Sequence, residues 1–121
     1  MCSSDLATGG HGGTGMDGAS GGRGGSASLV NAVSVDNAEH ISLTQQAYGG
    51  HGGGTVAGSG LIGVEAGAGG DAASTLVYDW LDKTVGGDVM RYLNATVAAV
   101  GGQGGYAAGD ADAGQIGRAH V

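Results

Sequence analysis

The chain has 121 residues, of which 30 are glycine, with no proline, no phenylalanine and one tryptophan. Collagen needs glycine at every third position and abundant proline, and a transmembrane helix needs about 18 consecutive apolar residues, so the sequence excludes both. The net charge of −7, with only four Lys and Arg residues, excludes the basic surface that binds nucleic acid or an anionic membrane.

Glycine is segregated into tracts that alternate with glycine-free blocks. The tract ATGGHGG begins at Ala7, and similar tracts begin at Ala47 (AYGGHGG) and Ala99 (AVGGQGG). A second element, GRGGSASLV from residue 22, returns as GAGGDAASTLV from residue 67. The order of the two elements is constant although their spacing varies, which predicts a repeat whose units start near residues 7, 47 and 99.

The glycine-free blocks have the patterns of β-strands. Apolar and polar residues alternate over 41–47, apart from Gln45, and the block 93–99 keeps the same register. That register places four apolar side chains on one face: Leu93, Ala95, Val97 and Ala99. We also expect strands over 29–35 and 73–78 and turns at 36–39 and 82–88. Helix is disfavoured, because apolar residues at helical spacing persist nowhere beyond two turns. The best helical alternative is the segment 88–100.

These patterns predict an all-β fold, namely a repetitive β-solenoid-like array with glycine-rich tracts. Each glycine ordered in a regular element costs roughly 0.5–1 kcal/mol relative to alanine. A stacked array offsets this cost, because neighbouring coils satisfy each other's backbone groups and share a narrow core of small residues. The alternative fold is a set of short β-hairpins joined by extended or disordered glycine-rich segments.

Catalytic signatures carry little weight in a chain so rich in glycine. The dinucleotide-binding pattern GxGxxG starts at Gly10, Gly13 and Gly58, which is about the number expected by chance, and none of the three follows a strand and opens a helix. Residues 18–22 fit the GxSxG nucleophile elbow around Ser20, but no hydrophobic strand precedes them. We therefore predict no enzyme activity, no catalytic residue and no cofactor.

Two patterns raise the question of metal binding. Residues 12–20 approximate the calcium-binding nonapeptide GGxGxDxUx, in which Asp17 would be the calcium ligand. The candidate is weak, because each ion is shared between adjacent turns and a single copy supplies half of a site. His11 and His51 occupy equivalent positions and suggest a ladder for a transition metal. Gln103 replaces histidine in the third tract, so we interpret these positions as solvent-facing polar residues rather than metal ligands.

Other side chains are candidates for contact with a ligand. Thr44 and Thr96 stand at matching positions of two predicted strands and offer a weak flat face for glycan or ice. Asn94 begins a glycosylation sequon by pattern only. We expect Tyr78 and Trp80 to cap the thin core rather than to stack against a ligand.

The two ends of the chain differ from the rest. Residues 1–6 (MCSSDL) and 116–121 (IGRAHV) resemble the in-frame translation of opposite strands of one sequencing-library adapter. We therefore expect both segments to be non-native, as in a metagenomic fragment. This expectation leaves 7–115 as a glycine-rich β repeat fragment of a longer reading frame and removes the only cysteine, Cys2.

The alternation of GGxGG tracts with Ser/Thr/Ala-rich strands, as in ISLTQQAYGG from residue 41, resembles the repeat regions of large bacterial surface adhesins. These are the autotransporter passengers and the filamentous-haemagglutinin-like proteins. The resemblance implies an extracellular or cell-surface location, a β-solenoid stalk and an adhesive or structural role. It implies neighbouring repeats of the same longer chain as partners, and a host or matrix surface or glycan, without membrane insertion. The alternatives are a glycan- or ice-binding β-solenoid module and a single-site calcium-binding repeat.

Overall fold

The computed structural model describes residues 2–33, 40–57, 63–77, 92–109 and 112–120. Within these ranges the chain forms β-strands and no helix, which confirms the predicted all-β class. The strands are β1 (Cys2–Thr8), β2 (Ala27–Val30), β3 (His40–Tyr48), β4 (Thr55–Ala57), β5 (Ala72–Thr75), β6 (Tyr92–Val100), β7 (Ala107–Gly109) and β8 (Ala119–His120). The predicted turns at 36–39 and 82–88, together with Tyr78 and Trp80, lie outside the described residues.

All strand pairs among the described residues are parallel. They form three small sheets with the orders β1-β3-β6, β2-β5-β8 and β4-β7, so strands that follow one another in the chain belong to different sheets. A hairpin would instead join two consecutive antiparallel strands within one sheet. The alternative fold of short hairpins is therefore wrong for the described strands.

The described segments fall into three tiers, which are tier 1 (residues 2–30), tier 2 (40–75) and tier 3 (92–120). In each tier the chain passes through the sheet β1-β3-β6 and returns through the sheet β2-β5-β8. Ala7 pairs with Ala47, and Ala47 pairs with Ala99, so the first residues of the three similar tracts are neighbours in one sheet. The second sequence element is aligned in the other sheet, where Ala27 pairs with Ala72.

The strand predictions hold better in the first sheet than in the second. β3 and β6 contain the predicted blocks 41–47 and 93–99 and extend one residue further at each end. Since 92–100 is a strand, the helical alternative is wrong over these residues. β2 and β5 start earlier than expected, at Ala27 and Ala72, and end at Val30 and Thr75. β2 ends there because the chain turns at Asn31, where φ is 47°.

The core is thin and consists mostly of small side chains. One cluster contains Val33, Ile41 and Leu43, all buried. The other contains Ala27, Ala47 and Ala72, which lie between the two larger sheets. Such short side chains let the two backbone layers approach closely, and they leave much of the stabilisation to backbone hydrogen bonds.

The alternation in β3 extends to Gln45, which is fully buried between Leu43 and Ala47. Its Oε1 accepts a hydrogen bond from the backbone N–H of Ala32 at 2.8 Å. Its Nε2 donates to the Ser74 hydroxyl at 3.0 Å and to the carbonyls of Leu29 and Thr75 at 3.2 and 3.1 Å. Gln45 is thus an inward-facing residue of β3 that ties the first sheet to the ends of β2 and β5.

The glycine tracts are ordered by backbone hydrogen bonds between neighbouring segments. In tier 1, the N–H of Gly25 donates to the carbonyl of Gly10, and the N–H of Gly22 donates to that of Gly13, both at 2.7 Å. The bonded residues are three apart, which is the period of the polyproline II conformation, whereas a β-strand alternates with a period of two. The described glycine residues therefore differ from the mobile tracts of the alternative fold.

Candidate functional site

The outer face of the sheet β1-β3-β6 carries a row of hydroxyl groups. Thr44 lies opposite Ser4 on one side and opposite Thr96 on the other, as the matching positions of the two threonines predicted. All three side chains point away from the core, because their neighbours Leu43 and Gln45 point into it. Adjacent strands in a sheet are about 4.7–4.9 Å apart, so the row presents hydroxyls at a regular short spacing.

The neighbouring rows of the same face are mixed in chemistry. The row on one side combines Leu6, Gln46 and Ala98, so the hydroxyl row has no regular second row beside it. Tyr92 and Val100, at the two ends of β6, are 57% and 48% exposed. A shallow cavity of about 270 Å³ lies at one end of the face, lined by Cys2, His40, Ile41, Ser42, Tyr92 and Asn94. The face therefore mixes hydroxyl, amide and apolar side chains, and its hydroxyls form a single row.

His11 and His51 stack on one another at the edge of the glycine tracts. Their ring centroids are 4.9 Å apart and their planes differ by 5°. The Nδ1 of His11 accepts a hydrogen bond from the backbone N–H of His51 at 3.0 Å, and the Nδ1 of His51 accepts one from Gln103 at 2.9 Å. An accepting Nδ1 places the proton of the neutral ring on Nε2, so a metal would have to break this ladder to bind.

A similar series of side-chain to backbone hydrogen bonds runs beside the sheet β2-β5-β8. The hydroxyl of Ser26 accepts from the N–H of Asp71 at 3.2 Å, and Oδ1 of Asp71 accepts from the N–H of Arg118 at 2.8 Å. In each case a side-chain acceptor of one tier binds the backbone of the equivalent residue in the next tier. The ladder has a signal in the sequence: the residues that follow glycine pairs at positions 11, 26, 51 and 71 all carry acceptor side chains. The contacts themselves join residues 40 or more positions apart, so local patterns do not predict them.

Asp17 lies in a tight turn between the two layers of tier 1. Its φ is 53° and that of Gly18 is 86°, and the N–H of Ala19 donates to the carbonyl of Met16 at 3.0 Å. Positive φ at both central residues is the signature of a type I′ turn, for which Asp-Gly is a preferred sequence. The preference of Asp-Gly for this turn gives a structural reason for the residue pair. Among the described residues, no group of three His, Cys, Asp or Glu side chains is arranged to hold a metal ion.

The catalytic patterns fall within the bonded glycine segments. Ser20 is exposed, and its hydroxyl accepts a hydrogen bond from the N–H of Glu65 at 3.3 Å. A nucleophile elbow requires a helix directly after the serine, and no helix follows Ser20 in the described residues. The patterns starting at Gly10 and Gly13 likewise open no helix, and part of the one starting at Gly58 lies outside the described ranges.

Most glycines of the tracts lie against the backbone of a neighbouring segment. A Cβ added to Gly50 would meet the carbonyl of Gly10, and one added to Gly102 would meet the carbonyl of Gly50. These positions need glycine because the backbones of adjacent tiers touch there, whatever φ the residue adopts. The tracts therefore serve packing between tiers, which the sequence pattern by itself could not distinguish from flexible linkers.

Comparison with protein-family models, curated proteins and solved structures found no match to this chain.

Proposed function

We propose that this chain is a structural and adhesive segment of a large secreted bacterial surface protein, built as a β-solenoid and without catalytic activity. In this proposal its partners are neighbouring repeats of the same longer chain, and its outer face meets a host or matrix surface or glycan. The observation that carries the proposal is a continuous series of backbone hydrogen bonds that passes through all three tiers.

One such series runs through five glycine pairs in a single direction. The bonds, each written from N–H donor to carbonyl acceptor, are Gly25 to Gly10, Gly50 to Gly25, Gly70 to Gly50, Gly102 to Gly70 and Gly117 to Gly102, all between 2.6 and 2.8 Å. A second, parallel series links Gly13, Gly22, Gly53, Gly67, Gly105 and Gly114. An arrangement in which each segment bonds only to its neighbours is typical of a solenoid, whose stability grows by addition of units.

The chemistry of the surface agrees with an extracellular structural role. The net charge is −7, and the one ion pair between described side chains, Arg23 with Asp71 at 3.7 Å, is exposed and contributes little to stability. No helix among the described residues has the length and apolar character needed to cross a membrane. The outer face of β1-β3-β6, which includes the exposed Thr96 and Tyr92, provides a surface for contact.

The register of the sheets supports the proposal that both termini are non-native. Ser3 stands opposite the buried Leu43, and the carboxyl group of Asp5 stands opposite the buried amide of Gln45, before Ala7 restores the pattern. Counting back three residues from the pairs Ala27–Ala72 and Ala72–Ala119 places Ile116 at the position held by Gly24 and Gly69. The pattern of the tiers thus breaks within residues 1–6 and at the first residue of 116–121.

Recovery of the complete reading frame tests this proposal. We expect many further copies of the two sequence elements, an export signal, and other sequence in place of residues 1–6 and 116–121. A single copy beside a catalytic domain, or an uninterrupted native reading frame through both terminal hexapeptides, would contradict it.

The hydroxyl row gives a second candidate function, recognition of glycan or ice. Thr44 and Thr96 are aligned across tiers 2 and 3. If this row binds a ligand, replacing Thr44 and Thr96 together by valine should abolish thermal hysteresis or binding on a glycan array. The matched control is Thr75→Val, an exposed threonine of the other sheet, which should leave both readings unchanged. Equal signals from the two variants would eliminate this candidate.

A further inference from the structure

Gly10 and Gly13 are glycines at positions where tier 1 does not require them. A Cβ added to either would meet no atom of the described residues within 4 Å. In tier 2 the equivalent residues are Gly50 and Gly53, whose added Cβ atoms would meet the carbonyls of Gly10 and Gly13. The absence of side chains at these two positions thus has a packing reason only if another backbone lies on the open side of tier 1.

Within the described part of the chain, the backbone N–H groups of Gly10 and Gly13 lack hydrogen bonds that the equivalent N–H groups of tier 2 make. Gly50 and Gly53 donate to the carbonyls of Gly25 and Gly22 in the preceding tier, both at 2.8 Å. Among the described residues, the N–H groups of Gly10 and Gly13 have no acceptor. The two hydrogen-bond series that cross the molecule therefore begin with two unpaired donors, three residues apart.

The opposite end of the molecule carries the complementary groups. The series end at the carbonyls of Gly117 and Gly114, which receive no hydrogen bond from the described residues. In the interface between tiers 1 and 2, the acceptors Gly25 and Gly22 are likewise three residues apart, and they run antiparallel to the donors. One end thus presents the donors, and the other end the acceptors, of the same interface.

We propose that the N-terminal glycine face, formed by Gly10, Gly13, Gly22 and Gly25, binds a further glycine-rich tier. Two backbone carbonyls of this further tier, three residues apart, accept hydrogen bonds from the N–H groups of Gly10 and Gly13. The proposal rests on the structural-repeat function above and specifies the surface and the chemistry of the partner. It extends the interface between tiers 1 and 2 by one unit and would pair two amides that now lack acceptors.

The partner must also have glycine at the position of Gly24 and Gly69. Added Cβ atoms at these residues would meet the carbonyls of Gly50 and Gly102, which belong to the next tier. Tier 3 carries Ile116 at this position. By the same geometry, its Cβ would meet the Gly10 carbonyl of a second copy. The face is therefore selective for glycine there, and the C-terminal end of this chain does not satisfy it.

The substitution Ile116→Gly converts the C-terminal end into the proposed partner. We expect the unsubstituted chain to sediment as a monomer, and the variant to associate head to tail into species that grow with concentration in analytical ultracentrifugation. Head-to-tail contacts of this kind do not close and lead to linear assemblies. A variant that stays monomeric across the concentration range, or an unsubstituted chain that assembles equally, would overturn the proposal.

A second pair of substitutions identifies the surface. Adding Gly10→Val and Gly13→Val to the Ile116→Gly variant should restore the monomer, since the new side chains occupy the docking side. The far-ultraviolet circular dichroism and melting temperature should be retained, because no described residue lies within 4 Å of the new Cβ atoms. The matched control is Thr14→Val, an exposed residue of the same segment, which should leave association intact.

Association that persists with valine at both positions would place the contact elsewhere and refute the proposed face. This failure is distinguishable from failure of the proposed function, because the function is tested by the complete reading frame and not by self-association.

Discussion

At the scale of single residues, two kinds of position decide whether this chain folds. Gln45 is the largest buried polar side chain among the described residues, and both its Oε1 and its Nε2 have hydrogen-bond partners. The glycines of the tracts are the other kind, because a backbone carbonyl occupies the space of their missing side chain. Both roles depend on partners far away in sequence.

Replacement of Gln45 by leucine tests the first role. The leucine fills a similar volume but leaves the N–H of Ala32 and the hydroxyl of Ser74 without this partner. We expect a loss of about 1–3 kcal/mol in the free energy of unfolding, measured by urea denaturation. The matched control, Gln46→Leu, changes the next residue on the outer face and should shift stability by no more than about 0.5 kcal/mol. Equal effects of the two changes would contradict the buried role of Gln45.

At the scale of elements, the molecule combines two backbone periods in one path. The strands β1, β3 and β6 pair residue by residue, with side chains alternating between the core and the outer face. After Tyr48 the chain continues into a glycine segment in which every third residue bonds to the other layer. Alanine at the junction, at positions 7, 47 and 99, lets the closely spaced layers of the glycine segment begin directly after the strand.

A pair of alanine substitutions tests the packing of these segments. Gly50→Ala places a Cβ against the carbonyl of Gly10 and should destabilise the fold by about 3 kcal/mol, the upper range for overpacking. Gly10→Ala, at the equivalent position of tier 1, meets nothing and should be neutral or stabilising by up to about 1 kcal/mol, because alanine restricts the unfolded chain. Thermal melting of the two variants side by side measures this difference. Similar melting temperatures would show that the tiers do not touch at Gly50.

At the scale of the whole molecule, the parallel arrangement makes almost every stabilising contact long-range. Cys2 pairs with Ser42, and Ser42 with Asn94, so each step between tiers spans 40 or more residues. The loops must close before these pairs form, and the entropy of closure is offset only when the strands and glycine segments align.

This topology predicts slow folding for a chain of 121 residues. We expect refolding on a timescale of about milliseconds to seconds or longer, as in other proteins dominated by non-local pairing. Stopped-flow circular dichroism after dilution from denaturant measures the rate. Refolding in microseconds, the rate of small helical bundles, would be inconsistent with the parallel pairing of the tiers.

The amino-acid sequence by itself determined the class of the fold and the places of its clearest strands. Period-two alternation over 41–47 and 93–99 and the segregation of glycine are local properties, and both survive in β3, β6 and the tracts between layers. The turn at Asp17 and Gly18 also has a local signal, because Asp-Gly is a preferred sequence for the positive φ angles found there.

Only the tertiary structure decided which segments are neighbours and what each glycine is for. Parallel pairing, the inward position of Gln45 and the ladder from His11 to Gln103 all join residues tens of positions apart. A tract such as GGHGG has the same local sequence whether it is mobile or packed between two others. The difference lies in the neighbouring tier. At Gly50 a backbone carbonyl of tier 1 occupies the space that a side chain would need, whereas at Gly10 no described residue occupies that space.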